Sequence, residues 1–188
     1  MLSRKVIVAV AGLPGSGKSV MVHAAAEKGY AVVVMGDEVR EEARTRGVEA
    51  TPENMGRIML ELRRLEGEAS IARRCIPKIE KILESRVVVD GVRSLSEVDE
   101  FKSRFACVVG VAVHSSPETR FRRLYSRRRS DDPKDWAIFR ERDLRELGVG
   151  LGNAIAMAEY LIVNEGTLSA TKNRAAEVLG EIERTWRR

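Results

Sequence analysis

The sequence predicts a three-layer α/β domain built on a five-stranded parallel sheet. Five short apolar runs, rich in β-branched residues, recur along the chain, and each reads as a strand buried on both faces. Helical stretches separate the runs, an alternation that gives a parallel sheet with right-handed crossovers. A glycine-rich loop joins the first run to the first helix.

The elements follow in chain order. The first strand covers residues 6–10, and a helix over 18–28 follows the glycine loop. The second strand, 31–35, leads into a charged helix over 37–46 with Asp37 as its N-cap. Residues 53–84 are charged and helical, opened by Thr51 as N-cap and Pro52 in the first turn. Region 37–84 is too long for a simple crossover, so it reads as a helical, acceptor-binding insertion. The third strand is 87–89, followed by a helix over 94–103 whose start, Ser94-Leu95-Ser96-Glu97, forms a capping box. The fourth strand is 107–113, followed by helices over 117–127 and 133–147, and Asp132 ahead of Pro133 reads either as the cap of the latter or as a mechanistic residue. Strand 160–163 and helix 167–186 close a single domain over residues 1–188.

Composition fits a chain with a full core. Of 188 residues, 44% are apolar and 32% charged, which argues against disorder. The net charge of +5 favours a polyanionic partner. Arginine outnumbers lysine 25 to 8, and arginine is the better fork for phosphate oxygens. Aromatic residues make up 5%, too few for a base-stacking platform, which counts against a nucleic-acid partner. Cys75 and Cys107 lack metal or disulfide spacing and read as reduced thiols of a cytoplasmic protein. The apolar run at 6–11 is too short for a signal peptide, and no stretch nears the ~20 residues of a membrane span.

Chemistry concentrates first at residues 12–19, Gly12-Leu13-Pro14-Gly15-Ser16-Gly17-Lys18-Ser19, a full GxxxxGK[ST] phosphate loop between strand and helix. Its glycines let the backbone turn N–H groups toward phosphate oxygens, and the helix N-terminus adds partial positive charge. Lys18 is placed to reach the β- and γ-phosphates of ATP, and Ser19 to bind Mg²⁺. Asp90 ends the third strand and is the second magnesium residue. Gly91 follows it where hydrolytic motors commonly carry a glutamate, which favours transfer to a bound acceptor.

Arginines supply the rest. Arg40 and Arg93 follow the second and third strands, where ligands sit in open α/β sheets. Arg120, Arg122, Arg123, Arg127, Arg128 and Arg129 crowd ten residues before Ser130-Asp131-Asp132, and read as a short lid over about 120–132. Arg140 follows on the next helix. His23 and His114 have no nucleophile beside them, and Trp136 and Trp186 read as packing residues.

These residues resemble nucleoside monophosphate kinases. The loop at 12–19 is similar to the adenylate kinase GxPGSGK loop. Gly36-Asp37-x-x-Arg40 resembles the segment whose arginine holds the acceptor phosphate, and Asp90-Gly91-Val92-Arg93 resembles Asp-Gly-Phe-Pro-Arg, one residue shorter. Arg129-x-Asp131-Asp132 with Arg140 resembles the lid-hinge pattern, whose arginines contact the transferring phosphates. Taken whole, the chain resembles an archaeal, adenylate-kinase-related P-loop family. The resemblance implies the P-loop NTPase fold with strand order 2-3-1-4-5. It also implies Mg-ATP as co-substrate, a small phosphorylated acceptor, and catalysis by Lys18, Arg40, Arg93, Arg129 and Arg140. Arg120 joins residues 12–19 as an expected ATP contact. The long lid of large adenylate kinases is absent, and Glu97 replaces their adenine-reading glutamine, either as a base reader or as a helix cap. A dephospho-coenzyme A kinase shares the short lid and is the alternative within the class. Outside it stand an ATPase switch and a nucleic-acid-binding protein. Asn164-Glu165-Gly166 resembles the loop near the ATP base.

Overall fold

The computed structural model describes residues 3–129 and 132–186. Ser130 and Asp131 of the hinge pattern, and the end of the basic tail, lie outside the described residues. The sheet holds β1 (Ser3–Ala11), β2 (Ala31–Val34), β3 (Arg86–Val92), β4 (Phe105–His114) and β5 (Tyr160–Val163). All pairings are parallel, and the order is β2-β3-β1-β4-β5, as the resemblance implied.

Alternation along β1 explains why its residues 6–11 are apolar without a break. Val6, Val8 and Val10 join the cluster under α1 (Lys18–Glu27) and α9 (Leu168–Trp186). Ile7 and Ala9 join the opposite cluster under α2 (Met35–Thr45), α3 (Pro52–Glu66), α4 (Ser70–Lys81) and α5 (Leu95–Arg104). Each fully buried valine or isoleucine contributes about 1.5–3 kcal/mol, so both layers are held from one strand.

Local chemistry fixes most helix starts. Thr51 accepts from the Asn54 N–H at 3.2 Å, capping α3. Ser94 accepts from the Glu97 N–H at 3.2 Å, capping α5. The other half of that capping box does not close, because Glu97 accepts instead from the Arg93 N–H at 2.7 Å. Four boundaries differ from expectation. Helix α2 begins at Met35, so Asp37 sits inside its first turn and is not the cap. Segment 53–84 breaks at Gly67, whose φ of 89° is left-handed, giving separate α3 and α4. After α6 (Pro117–Arg127), α7 (Trp136–Gly148) starts later than expected, because Asp135 takes the cap by accepting from the Ile138 N–H at 2.9 Å. Asp132 turns back to accept from the Arg129 N–H at 2.8 Å and from Arg127 at 2.6 Å. An unexpected short helix, α8 (Leu151–Ala156), follows Gly150 and packs on β1 and β4.

Among the described residues, no helix is long and apolar enough to cross a membrane.

Candidate functional site

The carboxyl ends of β1, β3 and β4 carry the site. Gly15 and Gly17 have φ of 81° and 91°, which L side chains rarely adopt. Space makes the same demand. A Cβ on Gly15 would stand 2.8 Å from the Arg120 carbonyl oxygen, and one on Gly17 would collide with the Asn164 amide. The loop is thus clamped between α6 and the segment after β5. Lys18 opens α1, and its Nζ donates to the Gly12 carbonyl at 2.6 Å. Enclosure of the ammonium pulls its pKa down, Asp90 and Glu146 oppose this, and Arg93 and Arg142 add to it. Helix α1 has neither a side-chain cap nor an acidic first turn, so its leading N–H groups face the loop without a competing carboxylate. Ser19 is exposed at its second position.

Asp90 lies in β3, in register with Val10 of β1 and Val34 of β2. Burial raises its pKa, while Lys18 and Arg93 oppose that rise. Its Oδ1 is buried with no hydrogen-bond partner, and so is Ser16 Oγ. An orphaned carboxylate oxygen costs about 1–3 kcal/mol unless something satisfies it. That fits a hydrated divalent cation held by Asp90 and Ser19. The described residues contain no cluster of three His, Cys, Asp or Glu that could hold a metal alone. The nucleotide's own phosphates would have to complete such a shell.

Beside the loop opens a cavity of about 890 Å³, toward the upper end of ligand-site volumes. Gly36, Arg40, Gly56 and Met59 line one wall, and Ile138, Glu141, Arg142, Arg145 and Glu146 line the other. Arg93 and Arg129 also face it. Arg40 pairs with Asp37 one turn before it. The Arg93 Nε lies 2.9 Å from Glu146 Oε2, and its Nη1 lies 2.9 Å from Met59 Sδ. The structure therefore brings Arg40, Arg93 and Arg129 to one cleft next to Lys18 and Asp90.

Two expected residues lie elsewhere. Arg140 is exposed and off the cavity lining. The lining positions 138, 141, 142, 145 and 146 form one face of α7, and Arg140 stands about 160° around the helix from Arg142. Arg120, expected against ATP, is 2% exposed and committed behind the loop. It makes two bonds to Asp143, at 2.8 and 2.5 Å, and donates to the carbonyls of Ser115 and Pro14. Its guanidinium also lies over the Phe139 ring.

The expected arginine lid thus divides. Arg120 and Arg123 turn inward from α6, while Arg122, Arg127, Arg128 and Arg129 are exposed. Arg123 bonds Ser115 Oγ and the Asn164 carbonyl at 2.9 and 3.0 Å. Asn164 donates to the Ser16 carbonyl at 2.9 Å, and so supports the loop from beneath. Glu165 binds the start of α6 through Thr119 at 2.7 Å. Glu97 is fully buried, pairs with Arg63 and accepts from the Arg93 N–H. Burial raises its pKa against the pull of Arg63. With both oxygens engaged it anchors the backbone of Arg93. Trp136 packs edge-on against Phe121, with ring centroids 5.2 Å apart.

A protein of Hyperthermus butylicus named UPF0200 protein is 49% identical over 180 residues, covering 96% of each chain. The chain belongs to the UPF0200 protein family. A family model described as AAA domain also matches its residues 11–138. The UPF0200 chain shares its fold with solved P-loop kinases. A shikimate kinase from Bacteroides thetaiotaomicron superposes with a TM-score of 0.60 at 15% identity, over 93% of this chain and 98% of that one. A gluconokinase from Sinorhizobium meliloti gives 0.58 at 18%, over 97% and 95%.

Sequence reasoning missed Arg57, Arg142, Asp143, Arg145 and Glu146, and placed Arg123 in a lid when it turns inward. For the α7 residues a signal existed: Ile138, Glu141, Arg142, Arg145 and Glu146 recur at helical spacing.

Proposed function

We propose that this protein transfers the γ-phosphate of Mg-ATP to a small phosphorylated acceptor of the nucleoside monophosphate class. One observation carries the reading: Lys18 and Asp90 stand beside an 890 Å³ cavity lined by six arginines. Lys18 and the loop N–H groups would bind the β- and γ-phosphates. Arg40 and Arg93 would orient the acceptor's phosphate. Arg129, together with Arg142 in the role first expected of Arg140, would neutralise the moving group. Asp90 and Ser19 would hold the hydrated Mg²⁺, which offsets phosphate charge when bound. An acceptor oxygen bonds to the γ-phosphorus as the β–γ bridging bond breaks, and ADP leaves with that electron pair. Such transfer asks the protein for positioning and electrostatic stabilisation more than for a strong base. Cys75, buried and unpaired by disulfide, suits a cytoplasmic setting.

The test is ADP release from Mg-ATP against a panel of acceptors. The panel holds nucleoside and deoxynucleoside monophosphates, dephospho-coenzyme A, and gluconate and shikimate, after the names of two structural neighbours. Strong stimulation by a monophosphate supports the proposal. Stimulation by dephospho-coenzyme A alone selects the alternative within the class. Slow release that no acceptor stimulates would select an ATP-driven switch.

A further inference from the structure

Six arginines line the cavity, more than one transferring phosphate and one acceptor phosphate require. Three glutamates, Glu53, Glu141 and Glu146, accompany them. Arg40 pairs with Asp37 and Arg93 with Glu146, so these two already have carboxylate partners. Arg57 and Arg145 are different. Neither makes an ion pair or side-chain hydrogen bond among the described residues, although Glu53 and Glu141 stand one turn before them at pairing distance in sequence. Elsewhere the described chain pairs many arginines, as in Arg44, Arg46, Arg74, Arg86 and Arg174, and leaves others, such as Arg64 and Arg104, without a side-chain partner, but these lie off the cavity.

Arg145 also reaches across to the opposite helix. Gly56, inside α3, precedes Arg57, and a Cβ there would stand 3.9 Å from the Arg145 guanidinium carbon. The Arg145 fork thus lies within ordinary van der Waals reach of α3, across the cavity from its own helix. Two guanidinium groups without a side-chain partner among the described residues thus line the same cavity from α3 and α7, apart from the β2 and β3 ends that Arg40 and Arg93 follow.

We propose that Arg57 and Arg145 form a second anion subsite, and that the acceptor carries a second phosphate-like group besides the one held by Arg40 and Arg93. This rests on the kinase reading above for what the first group is. The ligand class is a nucleotide with two separate phosphoryl groups, of which a nucleoside 3′,5′-bisphosphate is the simplest probe.

Calorimetric titration with adenosine 3′,5′-bisphosphate and with adenosine 5′-monophosphate tests it, on wild type, Arg57→Ala and Arg145→Ala, each first checked for an unchanged melting temperature. Arg57→Gln and Arg145→Gln replace a variant that fails that check. The bisphosphate should bind wild type at least about tenfold more tightly, since charge-assisted bonds to phosphate are strong. That advantage should collapse in either variant. Equal binding of the two probes, or an advantage that survives both substitutions, would overturn the subsite. ADP release with the same probes is read separately. Loss of all stimulation with the binding advantage intact refutes the kinase and leaves the subsite standing.

Discussion

Behind the phosphate loop and in front of it, this chain uses the same residue type in opposite ways. Behind the loop, Arg120 and Arg123 are spent on protein. They bond Asp143, Ser115, Asn164 and the loop's own carbonyls. In front of it, Arg57, Arg129 and Arg145 line a cavity without a side-chain partner among the described residues. A guanidinium is charged at any relevant pH, so burial forces it to take acceptors from the protein, a carboxylate for Arg120 and carbonyls and a hydroxyl for Arg123, while a wet cleft lets it wait for an anion. Arginine identity says little about role, and partner and burial say most of it.

The sharpest way to break this contrast is Arg120→Ala. It leaves Asp143 buried beside the loop with its main partner gone, so stability in urea should fall by about 3–5 kcal/mol. Arg57→Ala, on the exposed side of the contrast, should change stability by no more than ~0.5 kcal/mol. Similar losses for both would show that the two regions are not different in kind.

Lys18→Ala should lower kcat for ADP release by about 10²–10³-fold, the scale for removing a transition-state donor. Its melting temperature should hold or rise, because the substitution removes an enclosed ammonium whose pKa burial already depresses. A drop in melting temperature matching the activity loss would make Lys18 structural.

The orientation of α7 is tested by neighbouring arginines. Arg142→Ala should lower kcat at least about tenfold, while Arg140→Ala, which faces away from the cavity, should leave it within about twofold. The reverse ranking would mean that α7 turns when nucleotide binds.

The smallest expected effect concerns the turn between α6 and α7. Burial alone would raise the Asp132 pKa, but the Arg127 guanidinium and the Arg129 N–H hold it below the ordinary carboxylate value. A depressed folded pKa adds stability that is complete above the unfolded pKa and is lost as pH falls through the folded one. Asp132→Asn should therefore cost about 1 kcal/mol at neutral pH, limited by the partial exposure of Arg127. The difference should vanish in acid below the carboxylate range. A pH-independent difference would assign Asp132 to packing.

What could be read from the sequence was local. Residues 12–19 need their glycines because the positive φ at Gly15 and Gly17 belongs to the loop itself. The five strands announced themselves because both sheet faces are covered, and the caps at Thr51 and Ser94 because a cap acts over three residues. The order of the sheet came with the resemblance and held. Tertiary structure decided the rest. Asp135 displaced Asp132 as the cap of α7, and the packed phase of that helix left Arg140 outside the cleft with Arg142 within it. Arg120 went to Asp143, 23 residues away, and Glu97 to Arg63, 34 residues away. Ion pairs of this kind join residues remote in sequence, and a helix shows its neighbours only one face. Partner and phase are therefore set when the elements pack, and no single segment contains them.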